Sequence, residues 1–159
     1  MKLMFCFFIL LIPSSFLNYQ KNEIDNYKNA ISLILHSTEY KKYGSSNKNY
    51  NVSSEVVSFS NFSRFFKEEL SKDVVNEIVV NEIVKQDLDL LKLNVRRCGK
   101  VKVFFSEEKE NIFFAEVFIS KNKDIKYKDR PLFGMSKVYM FKIRDEETSL
   151  VAIKELHYN

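Results

Sequence analysis

The chain has 159 residues, room for one domain and little more. Its 45% hydrophobic and 29% charged residues exclude a disordered chain, three Gly and two Pro exclude collagen-like or linker-rich designs, and two Cys exclude a disulfide-stapled miniprotein. A formal charge of +4 is too mild to argue for nucleic acid, which selects a concentrated basic face.

The amino-terminal residues 1–17, MKLMFCFFILLIPSSFL, have the layout of a secretory signal peptide: Lys2, an apolar run from Leu3 to Ile12, then Pro13, Ser14 and Ser15. A membrane-spanning helix needs roughly 20 apolar residues, about twice this run. The reading is therefore export, to the periplasm or out of the cell, with residues 18–159 as a single domain. Contact with a membrane is expected only through an uncleaved signal. Cleavage removes Lys2 and no acid, which lowers the formal charge by one, and removes Cys6, which leaves Cys98 without an intramolecular disulfide partner.

Residues 19–43 carry Ile24, Tyr27, Ile31, Ile34 and Leu35 on one helical stripe, with charged and amide residues opposite and Gly44 at the stop position. A polar loop, 44–51, and an ambiguous stretch, 52–58, follow. Phe62, Phe65, Phe66 and Leu70 fit one helical face, and the repeated VVNEI of 74–84 predicts a helix buried on most of its circumference. The remainder reads as strands. Val101–Phe105, the alternating Ile112–Ile119, Val138–Ile143 and Leu150–Tyr158 are separated by polar turns and by the basic loop 120–136. In Ile112–Ile119 the wholly apolar set Phe113, Ala115, Val117 and Ile119 is expected to face the core.

Helices followed by strands with short connections predict an α+β fold: amino-terminal helices packed on a four-stranded antiparallel meander. In element order this outline resembles cystatin-like and NTF2-like folds, in which a sheet curls around a helix. The resemblance implies a cavity-capable sheet and carries no activity.

The chemistry-bearing residues are few. Cys98 lies in Val-Arg-Arg-Cys-Gly-Lys, where the neighbouring cations favour a thiolate, so it is a candidate reactive thiol or the link of a homodimer. A nucleophilic cysteine needs a base, and His36 and His157 are the two histidines. Their separation gives no zinc pattern, and the isolated glycines Gly44, Gly99 and Gly134 make no phosphate loop. No catalytic set, metal site or cofactor motif is complete. The acidic pairs, Glu107–Glu108 among them, read as solvated turn residues. Asn51 and Asn61 open Asn-x-Ser sequons, which matter only in a eukaryotic secretory pathway.

These features favour a non-enzymatic domain that binds an unknown ligand or protein partner through its sheet face. Ile112, Phe114 and Phe118 would line the site, flanked by Lys126, Tyr127 and Lys128 of the basic loop and by His157 of the last strand. The alternatives are a small periplasmic hydrolase using Cys98 or a histidine in a concave sheet, and an oligomeric structural or interaction protein.

Overall fold

A computed structural model of the chain describes residues 14–42, 50–70, 83–84, 89–93, 100–122, 126–130 and 134–158. The elements run α1 (Ser14–His36), α2 (Thr38–Lys41), β1 (Tyr50–Val57), α3 (Ser60–Ser63), β2 (Ile83–Val84), β3 (Val101–Ser106), β4 (Ile112–Ile119), β5 (Gly134–Arg144) and β6 (Glu147–Tyr158). Single 3₁₀ turns lie at Leu90–Leu93 and Tyr127–Asp129. The fold is α+β. The expected meander is present as β3-β4-β5-β6, all antiparallel neighbours. The sheet is larger than the sequence reading allowed and mixed in direction: β1 pairs parallel to β3, and the two-residue β2 edges β1, giving the order β2-β1-β3-β4-β5-β6.

Two sequence expectations change here. The ambiguous stretch 52–58 is largely β1, which takes a register shift between Val52 and Val56. Ile83 and Val84, read as helical, pair with Val57 and Val56 as a strand. Their β-branched side chains lose rotamer freedom in a helix and pack readily on a pleated sheet, so the pairing follows their intrinsic preference. The rest of the VVNEI repeat, residues 74–82, like Cys98, lies outside the described residues.

Strand alternation sorts the core into two halves. On one face Val101, Val103, Phe105, Phe113, Ala115, Val117, Tyr139 and Phe141 pack under the α1 stripe of Tyr27, Ala30, Ile31 and Ile34. Ser37 caps α2, its Oγ accepting from the Tyr40 N–H at 3.1 Å, and turns the chain so that Tyr40 joins the same core. On the other face Phe104, Ile112, Phe114, Phe118, Val138 and Met140 pack under Phe59, Phe62, Phe66 and Leu70. The expected helix through Phe62–Leu70 is one turn, Ser60–Ser63, followed by tight turns, yet Phe62, Phe66 and Leu70 are buried.

Both hairpin turns are built without glycine. Glu110 and Asn111 (φ 50° and 60°) join β3 to β4, and Asp145 and Glu146 (φ 50° and 66°) join β5 to β6. Two consecutive left-handed residues give the twist that a two-residue hairpin needs, usually through Asn-Gly or Asp-Gly. Within the last hairpin, Met140 opposes Ala152 and Phe141 opposes Leu150, so Val151 is an extra residue that bulges the edge strand. The bulge swaps the alternation of β6: Leu150 and Ile153 both face the α1 side, while Ala152 and Leu156 face the other.

Candidate functional site

The residues expected to line a site on the sheet are divided by the structure. Ile112, Phe114, Phe118 and Tyr127 come together, but inside the second core, and Phe114 is wholly buried. Its ring meets Phe59, Phe62 and Phe66 at centroid distances of 4.9, 5.8 and 5.2 Å. Lys126 and Lys128 are exposed on either side of Tyr127. His157 lies opposite Met135 on the other face, exposed, with Nε2 3.2 Å from Glu155. His36 is also exposed, and its ring Nδ1 pairs with the Ser32 carbonyl at 2.7 Å.

The cover over Phe114 is pinned at both ends. Glu107 accepts from the Phe59 N–H at 3.1 Å, and Glu69 holds Lys154 of β6 at 2.9 Å. Beside it, the turn 126–130 is held by Glu55, which accepts the Tyr127 N–H at 2.7 Å, and by Glu116. Glu116 has no exposed surface; it accepts from the Tyr158 hydroxyl and lies 3.7 Å from Arg130, whose guanidinium stacks 4.1 Å from the Tyr127 ring centre and 5.1 Å from that of Tyr158. Burial pushes the Tyr158 phenol up to about 12, helped by the charge of Glu116. Burial likewise pushes Tyr127 up strongly. This cluster ties the end of β6 and the basic turn to the sheet, and Glu116 is closed to solvent.

Concave surface occurs elsewhere, where the middle of α1 passes the β3–β4 and β5–β6 turns. A cleft of about 740 Å³ lies there. Its walls carry the carboxylates Glu23, Asp25, Glu108, Asp145 and Glu146, the amides Asn22, Asn26, Asn29 and Asn111, and the cations Lys142 and Arg144. Three of the left-handed turn residues, Asn111, Asp145 and Glu146, stand among these lining residues. Asn26 ties the walls together: its amide donates to Glu108 at 3.4 Å and its carbonyl accepts from Thr148 at 3.2 Å. Glu23, 4% exposed, contacts Tyr27, whose ring stacks on Phe105 at 4.6 Å. Glu108, read from the sequence as a solvated turn acid, is half-buried, and burial pushes its carboxyl above the usual range, with the charge of Glu23 adding to the effect and Asn26 opposing it.

Comparison with family models, with curated proteins and with solved structures finds no match for this chain. Among the described residues, no three or more of His, Cys, Asp and Glu are grouped to hold a metal, and no helix is long and apolar enough to cross a membrane. The sequence reading missed the cleft because its residues come from three separate segments that share no motif. The one local signal was the pair of turns EEKEN and RDEETS, polar and without glycine. Asn61, the second sequon, is 4% exposed, and its amide has no hydrogen-bond partner among the described residues.

Proposed function

We propose that the chain is a non-enzymatic binding domain whose ligand, or a short polar segment of a partner protein, occupies the cleft between α1 and the two hairpin turns. The observation that carries this reading is the cleft itself: a large concavity walled almost entirely by hydrogen-bonding side chains. Non-glycine residues held at positive φ are costly, by on the order of 1 kcal/mol each, and concentrate at functional sites; Asn111 and Glu146 fit that pattern. Five carboxylates against two cations favour a ligand that carries positive charge. The binding reading thus leaves the sheet face, where Ile112, Phe114 and Phe118 already have the chain's own phenylalanines against them.

The test is an amide-shift titration of the folded chain with arginine and spermidine as cationic probes and acetate as the anionic control. Shifts gathered at Asn26, Glu108, Asn111 and Glu146 with the cations are the expected result, weakened in Glu108→Gln. Shifts absent with all three probes, or gathered around Met135 and His157, overturn the reading.

Export directed by residues 1–17 belongs to the same proposal. Helix α1 begins at Ser14, and cleavage after Ser15 or Leu17 trims its first turn, ahead of Glu23 and the packed stripe. Mass spectrometry of the exported protein checks this: a chain retaining Met1 overturns it. The packing of one long helix across an antiparallel meander is also the basis for grouping this domain with cystatin-like or NTF2-like folds, with parallel β1 as the departure from that outline.

A further inference from the structure

Strand β6 ends the sheet on one side, and among the described residues no strand pairs with its outer edge. It is 12 residues long, none of its residues is buried and no proline interrupts it. An edge of this kind presents a row of open N–H and C=O groups, a template for a further strand. Its protection is confined to one half. The bulge at Val151 disrupts the half near the hairpin turn, whereas 152–158 keeps a regular register against β5. The lysine that could guard the regular half is turned inward: Lys154 Nζ lies 2.9 Å from Glu69 and 5.1 Å from the centre of the Phe66 ring.

We propose that residues 154–158 of β6 pair antiparallel with the same residues of a second copy of this chain, across a two-fold axis centred on Leu156. The two sheets then join edge to edge.

The side chains along the edge select this register. A two-fold axis normal to the sheet sets each residue opposite one on the same face, so each register centres on a single residue. Centring on Ala152 or Ile153 draws the Val151 bulge into the ladder. Centring on Lys154 or Glu155 sets like charges directly opposite, which destabilises a pair. Centring on His157 leaves a ladder of three residues. Centring on Leu156 sets that leucine against its copy, and sets Glu155 opposite His157 of the second copy at two symmetry-related places. Both side chains are accessible, Glu155 at 42% and His157 at 61% exposure, and Lys137 lies 3.2 Å from Glu155 on the same face. The row Lys137, Glu155, His157 thus alternates in character across the junction.

A second copy fits because the edge supplies both halves of its own complement, and such an isologous contact closes on itself. At the other side of the sheet β2 has two described residues and offers no edge of matching length, so association stops at two chains. The contact is short and belongs with weak, reversible interfaces. It lies at the end of β6 remote from Asp145 and Glu146, so the proposal stands independently of what the cleft binds.

The experiment is sedimentation equilibrium of the folded chain with a thiol reductant, from about 1 μM to about 1 mM, with amide hydrogen exchange at both ends of that range. A monomer–dimer equilibrium is expected, with protection rising at alternate amides of 154–158 and unchanged at 147–150. Glu155→Lys sets a cation against His157 of the second copy, and His157→Glu sets two carboxylates together. Each is expected to weaken dimerisation about tenfold. The double exchange, Glu155→Lys with His157→Glu, restores both pairs and is expected to return the dissociation constant to within about threefold of wild type. Both positions face solvent, and circular dichroism of the dilute variants checks that the monomer fold is kept. A chain that stays monomeric throughout, which leaves the edge to a strand of another protein, overturns the proposal. So does a dimer indifferent to either single charge reversal, one that the double exchange fails to restore, or protection that rises outside 154–158.

Discussion

Phe113 and Phe114 are neighbours in sequence and lie in different cores. Phe113 packs under α1, edge-on to Tyr27 at 5.2 Å and stacked on Phe141 at 5.1 Å. Phe114 packs under a segment of turns, surrounded by Phe59, Phe62 and Phe66. The first face is covered by a periodic helix whose polar side then forms one wall of an open cleft. The second is covered by an aperiodic segment that closes the sheet and leaves a buried charge, Glu116, sealed beneath Arg130 and Tyr158. One sheet therefore has a face that ends in a polar concavity and a face that is filled. The difference lies in the covering chain, because β4 supplies apolar side chains to both.

The strongest way to break this comparison is to remove one ring from each side. Phe113→Ala and Phe114→Ala are both expected to cost about 3–5 kcal/mol in chemical denaturation, as core truncations of this size do. A Phe114→Ala chain within 1 kcal/mol of wild type, as an order-of-magnitude threshold for a surface position, would mean that the second face is an open ligand surface after all. Next in size is Arg130→Met. It strands the Glu116 carboxylate in the second core and is expected to cost about 3 kcal/mol, since removing one partner of a buried pair leaves a charge uncompensated. Removal of Lys92, whose contact with Asp89 is exposed on both sides, should leave stability near wild type by the same measurement.

Tyr158→Phe sharpens the same contrast by pH. The Tyr158 phenol is pushed up to about 12, whereas an unfolded tyrosine ionises near 10. The folded chain then keeps a proton that the unfolded chain has lost, and stability declines as pH rises through this interval. Absorbance titration should show this phenolate forming after those of exposed tyrosines, and Tyr158→Phe should remove that late step while costing about 2 kcal/mol at neutral pH for the lost hydrogen bond to a charged acceptor. The smallest expected effect concerns the cleft. Glu146→Gly relieves a non-glycine residue at φ 66° and is expected to stabilise the chain by about 0.5–1 kcal/mol, measured by the denaturation midpoint, while weakening binding of a cationic probe. Stabilisation without any loss of binding would separate the turn strain from function.

Much of the fold was legible because periodicity survives translation into structure. The stripe Ile24, Tyr27, Ile31, Ile34 is a helix face, and the four strands from Val101 onward are the four strands of the meander. The closing of the second face was not legible, because Phe62, Phe66 and Leu70 are buried by successive turns whose spacing mimics a helix. The tetrad Ile112, Phe114, Glu116, Phe118 looked like the less committed side of β4 on account of Glu116. That acid is instead buried with partners from Arg130 and Tyr158, 14 and 42 residues away in the chain, which no local window contains. Val151 shows the same limit on a smaller scale: a single extra residue reverses the facing of half of β6, and nothing in Leu-Val-Ala-Ile marks it.

The sequence by itself determined the class of this protein, an α+β domain with a long amphipathic helix and an antiparallel meander, since hydrophobic spacing and turn residues act within a few positions of one another. Tertiary structure decided which apolar face is filled, that β1 enters the sheet parallel to β3, and that carboxylates from α1, one turn and the last hairpin surround a common cleft. Those outcomes depend on contacts between residues dozens of positions apart, where burial and charge pairing act through space and leave no period along the chain.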